Sequence, residues 1–357
     1  MSRDVDHGQQ ATSTADGSAS GPRPRKLPVD PSPGLDETHA ADGRARASFR
    51  RATGIAVLVV TVQAVLVALF AWPAIKTAPR DLPVVVAAPP PAAAALAERL
   101  RSARPGAFAV TAVADQAAAD AALRQRRAYA AFVLQPDGPA LHVASAAAPV
   151  VAQLLTQQAQ ALGGRQPVRV VDVVPTDADD PRGAGFAAGF LPLVLTSMVA
   201  GILLIAAVDA RRARLAGISV FAVLAGLVGG AVLQYWLEAL PGPYLTNAAV
   251  IGLLTLAVAG AVAGLGALLG PAGIGLGGLL VFVLGNPLSA VASAPELLPR
   301  PWGQLGQLLP PGAGARLLRS SAYFDGAGGT VAAWTLTAWA VAGLALLLAG
   351  RRRVAAH

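Results

Sequence analysis

Between Ala239 and Pro295 the chain runs 57 residues without one Asp, Glu, Lys or Arg. A soluble domain carries roughly a quarter of its residues as charges, and a single membrane span needs only about 20 apolar residues. Four further uncharged runs lie at 52–75, 183–208, 215–237 and 326–350. Segments of this kind are solvated by lipid, where a helix satisfies its own backbone hydrogen bonds. The sequence therefore reads as an integral membrane protein of helical spans. The long run holds two of them, because Gly270-Pro271-Ala272-Gly273 divides it with turn-forming residues. Six spans are expected, near 53–74, 186–208, 216–237, 246–269, 274–293 and 331–350.

Orientation follows from arginines near span ends. Arg44, Arg46, Arg50 and Arg51 precede the first span, Arg211, Arg212 and Arg214 separate the second and third, and Arg351, Arg352 and Arg353 follow the last. With six spans the three clusters share one side, which the positive-inside rule makes cytoplasmic. Five or seven spans would put one cluster on the opposite side. The expected location is the cell membrane, multi-pass, with both termini cytoplasmic. The net charge of +8 sits largely in these clusters, without interleaved aromatics or a recognisable binding motif. The lipid bilayer rather than nucleic acid is the expected partner.

Five regions follow. Residues 1–51 read as a disordered cytoplasmic tail ending in a basic juxtamembrane segment, with 44–51 forming a short surface helix whose Phe49 faces lipid. Residues 52–75 form the first transmembrane helix, too long for the core of a cleaved signal peptide. Residues 76–185 regain charge and a short apolar period. Strands are expected at 83–87, 107–113, 128–134, 140–146 and 168–174, with helices at 92–104, 115–127 and 148–162. That order makes an extracytoplasmic mixed α/β domain inserted between spans one and two. Residues 186–350 form a five-helix transmembrane block whose dense glycines, such as Gly260 and Gly264, suit close helix packing within the chain or between copies. Residues 351–357 are a cytoplasmic tail.

Within the block, 291–330 is too apolar for a solvated loop and too proline-rich for one helix. Pro295, Glu296, Pro299, Trp302, Pro310, Arg316 and Arg319 mark it as a candidate outer gate or interfacial segment. Trp302, Leu305, Leu308 and Leu309 suggest a short amphipathic or re-entrant helix, and Arg316 and Arg319 share a helix face at i and i+3.

Much chemistry is missing. There is no cysteine, and the only lysines are Lys26 and Lys76, so no phosphate-cradling G-x-x-x-x-G-K-[ST] loop exists. The four histidines (His7, His39, His142, His357) show no ligand spacing. Ser197 lacks a nucleophile elbow. Asp172, Asp177, Asp179 and Asp180 read as a solvated linker. Ionisable groups stop at span ends, at Asp209 and Glu238, which argues against ion coupling. Gln63, within the first span, is expected to bond another helix. No cofactor and no enzymatic activity are expected of this chain.

Three segments carry a resemblance. "DQAAADAALRQRRAYAAFVLQP" (115–136) places an Ala-rich charged helix before a strand ending in Pro, "GFAAGFLPLVLTSMVAG" (185–201) enters the second span, and "GNPLSAVASAPELLPRPWGQLGQLLPPGAGARLLR" (285–319) precedes the last one. Their order and spacing over residues 50–350 resemble ABC-2 type transporter permeases of the phage-infection-protein (Pip-like) branch. That family implies one span, a large outer domain, then five spans. The resemblance implies a permease subunit that exports an amphiphilic or lipid-linked cargo, with ATP hydrolysed by a separately encoded cytoplasmic ATPase subunit and a homodimer forming the path. The ATPase would dock on Arg44, Arg46, Arg50, Arg51, Arg211, Arg212 and Arg214. The alternative is a non-transporting cell-surface protein whose outer domain binds an envelope component or phage.

Overall fold

A computed structural model of the chain describes residues 35–135, 138–162 and 168–350. The Arg351–Arg353 cluster lies outside these. Six of the described helices are long and apolar enough to cross a membrane, as in a multi-pass membrane protein: Arg46–Trp72, Ala184–Ala207, Arg211–Trp236, Tyr244–Leu269, Pro271–Leu288 and Thr330–Ala349.

The first belongs to α1 (Leu35–Ile75), a helix of 41 residues. Two expectations change here. Residues 35–43, placed in the disordered tail, are helical, and 44–51 continue into the span instead of forming a separate surface helix. No proline follows Pro33 until Pro73, and Ala, Arg and Glu are good helix formers. Two compact units divide within α1, one ending at Thr61 and the other beginning at Val62. In the first, side chains from Arg46 to Thr61 are exposed, including Phe49 and the apolar Ile55, Val57 and Leu58.

The second unit begins with the α/β domain. Its elements are β1 (Leu82–Ala87), α2 (Pro90–Ala103), β2 (Phe108–Val113), α3 (Gln116–Arg124), β3 (Ala130–Gln135), β4 (Gly138–Val143), α4 (Pro149–Leu162) and β5 (Arg169–Asp172). The β-α-β-α-β-β-α-β order expected from sequence is present, with some strands shorter. The sheet runs β2-β1-β3-β4-β5, parallel except for the β3–β4 pair. Alternate side chains divide between its faces. Leu82, Val84, Ala130, Leu141 and Val143 pack with Val151 and Leu155 of α4. Val85, Ala87, Ala131 and Val133 pack with Ala119 and Leu123 of α3. Both cores are completed from far along the chain, by Ala294 and Leu297 on the first face and Phe324 on the second.

Asp180 corrects the solvated-linker reading, and Asp172 corrects it in part, since it is exposed but closes β5. Asp172 Oδ1 accepts from Ser145 N at 3.1 Å. Asp180 is buried, and its oxygens accept from Ala184 N (2.7 Å) and Phe186 N (3.0 Å). It thereby satisfies amides that the first turn of a helix leaves unpaired. That helix is α5 (Ala184–Ala207).

The remaining spans are α6 (Arg211–Ala231), continued by a π-helical turn at Val232–Trp236, and α7 (Tyr244–Leu269). Next come α8 (Pro271–Gly278), a π-helical turn at Leu279–Leu284 and α9 (Gly285–Leu288). This fifth span ends at Leu288, short of the expected 293. A 3₁₀ turn (Pro295–Leu297), α10 (Trp302–Gly306) and α11 (Pro310–Tyr323) lead to α12 (Thr330–Ala349).

Helix α7 is the hub. It is apolar on every side and buried along most of its length, as a helix enclosed by others must be. Its neighbours approach through missing side chains. A Cβ on Gly343 of α12 would lie 2.3 Å from the Gly260 carbonyl carbon, and one on Gly226 of α6 would lie 2.3 Å from Ala248 O. The glycines serve packing within the chain, whereas Gln63 is exposed and bonds no other helix among the described residues.

Gly343→Ala therefore forces backbone against backbone. Overpacking of this kind costs about 1–3 kcal/mol, so the full-length protein in detergent should unfold at a clearly lower temperature. Gly275→Ala, on α8 where a Cβ meets nothing within 4 Å, should leave the melting temperature unchanged or slightly raised. Equal melting of both variants would refute the close α7–α12 crossing.

Candidate functional site

The segment between the fifth and sixth spans meets the α/β domain in a polar seam. Chain leaving α1 pairs with it through backbone bonds, Ala78 N to Leu297 O (3.1 Å) and Arg80 N to Glu296 O (3.0 Å). The Arg80 guanidinium donates to Leu297 O at 2.6 Å, and Arg300 pairs with Asp81. From the domain, Tyr129 Oη donates to Glu296 Oε2 at 2.8 Å. Arg126 donates to Ser320 Oγ (2.6 Å) and Arg316 O (3.0 Å) of α11. The α6–α7 connection joins the same end, since Tyr323 Oη donates to Ala239 O at 3.1 Å.

A cavity of about 70 Å³ lies within this seam, lined by Arg126, Arg127, Tyr129, Glu296, Arg316 and Arg319 among others. Arg319 is buried; it donates to Val291 O at 2.8 Å and lies 4.6 Å from the Phe186 ring centroid. Arg126 has φ 56°, a left-handed conformation uncommon for a side-chain-bearing residue, and stacks 5.1 Å from the Phe324 ring centroid. Burial lowers the pKa of Arg126 to about 10, and the Arg319 and Arg316 charges push the same way. Burial lowers Arg319 to about 10 as well. Both stay cationic at neutral pH. Burial, reinforced by the Glu296 carboxylate, pushes the Tyr129 hydroxyl far above its ordinary range, so it stays a hydrogen-bond donor.

The sequence-predicted gate residues fall into this frame unevenly. Glu296, Arg316 and Arg319 line the cavity, and so does Pro295. Pro299 accepts from Trp302 N at 2.9 Å. Trp302 opens α10 and packs edge-on to Trp72, with centroids 6.5 Å apart. Pro310 opens α11 and is buried. The expected interfacial helix is thus only the five residues of α10, while α11 packs into the fold through Ala313, Ala315 and Leu318. Arg126 and Tyr129 escaped the sequence reading, because "RQRRAY" after a helix has the pattern of a solvated end. Another pairing missed there is His142, buried on β4, whose Nδ1 lies 2.6 Å from Asp120 Oδ1 of α3. No group of three or more potential metal ligands occurs among the described residues.

At the opposite end of the bundle, Arg211 donates to Leu348 O (2.9 Å) and to Gly350 O, and Arg214 to Ile205 O (3.2 Å) and Val208 O. These arginines cover carbonyls left open at the ends of α12 and α5, where a cation is favoured. Arg212 is exposed. Arg46, Arg50 and Arg51 are also exposed, and the Arg44 side chain is outside the described set. Comparison with known protein families, curated proteins and solved structures finds no match.

Tyr129→Phe should destabilise the full-length protein by about 1.5 kcal/mol, a usual value for a hydrogen bond to a charged group. Glu296→Gln, which keeps an acceptor, should cost less. Thermal unfolding of both singles and the double variant measures the coupling, and additivity within error would mean the bond contributes nothing.

Proposed function

We propose that the chain is the membrane permease subunit of an ABC-2-like exporter, moving an amphiphilic or lipid-linked cargo outward with a separately encoded ATPase. The observation that carries this reading is the seam itself. A domain inserted after the first span shares its hydrophobic cores and a charged cavity with the segment between spans five and six, and α11 of that segment packs on α7. Displacement of the bundle therefore reaches the domain through buried contacts rather than a flexible tether. A surface receptor needs no such linkage. Connections after the first, third and fifth spans meet at the seam, and the ends of the second, fourth and sixth spans meet near Arg211, as successive crossings require. The domain is extracytoplasmic in this proposal, and both termini are cytoplasmic.

Nucleotide state drives transport only by favouring one bundle arrangement over another, so the ATPase must touch the cytoplasmic end. Arg211 and Arg214 are engaged with helix-end carbonyls, which leaves Arg212, with Arg46, Arg50 and Arg51, to contact it. Affinity purification of the tagged full-length protein from its native membrane should recover a cytoplasmic ATPase. Arg212→Glu should cut that recovery severalfold at matched membrane levels. Reporter fusions at residues 40, 212 and 355 should be cytoplasmic, and those at 140 and 315 external. Correct topology without any ATPase would favour the surface-protein alternative; a cytoplasmic signal at 140 would defeat both.

A further inference from the structure

Four guanidiniums and one carboxylate line the cavity in the seam. Arg126, Arg127, Arg316 and Arg319 line it together with Glu296, and no other acidic residue among the described residues borders it. None of the four is in a salt bridge among the described residues. Glu296 is already engaged by the Tyr129 hydroxyl. Arg319 is buried, Arg126 and Arg316 are half-buried and Arg127 is exposed; a buried cation ordinarily comes with a paired anion, because unpaired burial costs several kcal/mol. Arg126, Arg316 and Arg319 each use one nitrogen for hydrogen bonds within the described residues, to Ser320 and Arg316 O, to Gly328 O, and to Val291 O respectively. The remaining nitrogens of each fork bond no described residue. Arg319 is 5 % exposed, so its placement on the cavity wall is not that of a solvated surface side chain.

We propose that this cavity binds an oxyanion, a phosphate or carboxylate group, with Arg316 and Arg319 as its main ligands and Arg126 closing the site from the α/β domain. The guanidinium fork matches such groups with two parallel hydrogen bonds, and these charge-assisted bonds are the strong ones. Size agrees: one water needs on the order of 10–15 Å³ of such space, so about 70 Å³ admits the few oxygens of one oxyanion. An adjoining cavity of about 230 Å³ shares Pro83, Pro295 and Glu296 and is lined also by Arg80, Gln304 and the ion-paired Asp81 and Arg300. It offers room for whatever carries the anionic group. Burial and mutual repulsion already depress the Arg126 pKa, a strain that a bound anion relieves. The site would bridge α11 and the domain, whether or not the chain transports anything.

Full-length protein in an uncharged detergent tests this with two probes, inorganic phosphate and dodecyl phosphate in mixed micelles. Each is compared with chloride at equal ionic strength, and binding is read from the rise in melting temperature. Stabilisation by inorganic phosphate indicates a soluble oxyanion; stabilisation by dodecyl phosphate alone indicates an amphiphile's headgroup. Either supports the site, provided the variants follow. Arg316→Gln should weaken the apparent Kd about tenfold (1.4 kcal/mol), and Arg319→Gln by at least as much where it folds. Glu296→Gln keeps the Tyr129 acceptor, removes the competing charge and should tighten binding severalfold. A purely structural cluster gives no such opposite signs. No response above chloride in the parent, or a response unchanged in Arg316→Gln and Glu296→Gln, overturns the proposal.

Discussion

In a bilayer, helices gain nothing from apolarity alone, since lipid tails are as apolar as leucine, and association rests on close packing. The fold depends on how this chain meets that condition at α7. Neighbouring helices pack on α7 where glycines remove the side chains that would hold them apart. A hub of that kind fixes more than the spans. Leu254 of α7 packs in the same cluster as Ala313, Ala315 and Leu318 of α11, and a Cβ on Gly314 would lie 2.7 Å from Leu254. The helix that carries Arg316 and Arg319 is therefore positioned by the membrane bundle, although it does not itself span.

The same helix ends in the domain's core. Phe324, just past the end of α11, fills one sheet face, and Leu297 fills the other. A sheet with helices on both faces must cover two apolar surfaces, and the domain's own α2, α3 and α4 leave part of each uncovered. The α/β unit is thus neither a freely tethered module nor a self-sufficient one. Its apolar debt to the segment before α12 explains why a stretch too hydrophobic for a loop stays out of the membrane spans. The polar seam then sits between two apolar anchors, which keep its side chains half-buried and its electrostatics strong.

How legible this was depends on the range of each signal. Spans were readable because absence of charge over 20 residues is local, and the strand and helix order followed from apolar periods of two and 3.6. Asp180 was misread because its role depends on α5 starting four residues later, so its carboxylate meets free amides; charge and neighbouring prolines alone gave a linker. Arg316 and Arg319 could be set on one helix face, since i and i+3 are neighbours by geometry. Their meeting with Arg126, some 190 residues earlier in the chain, has no local trace. Nor does the division of labour among Arg211, Arg212 and Arg214, which depends on where α12 ends.

Arginine plays opposite parts at the two ends of the bundle. Arg211 and Arg214 point at carbonyls at helix C-termini, where about half a negative charge awaits each; their charge is compensated by backbone. Arg126, Arg316 and Arg319 also reach carbonyls or a hydroxyl, but α11 turns two of its arginines toward a third from the domain, with a single carboxylate in view. An apolar cluster of similar volume is commonly as stable as a buried ionic one, so the arrangement adds little to stability by itself. Here the cations lack a full set of partners, and Arg319 is also shut away from water. With α11 held against α7 and Arg126 bonded across to α11, they form a set of donors whose natural complement is an anion from outside the chain.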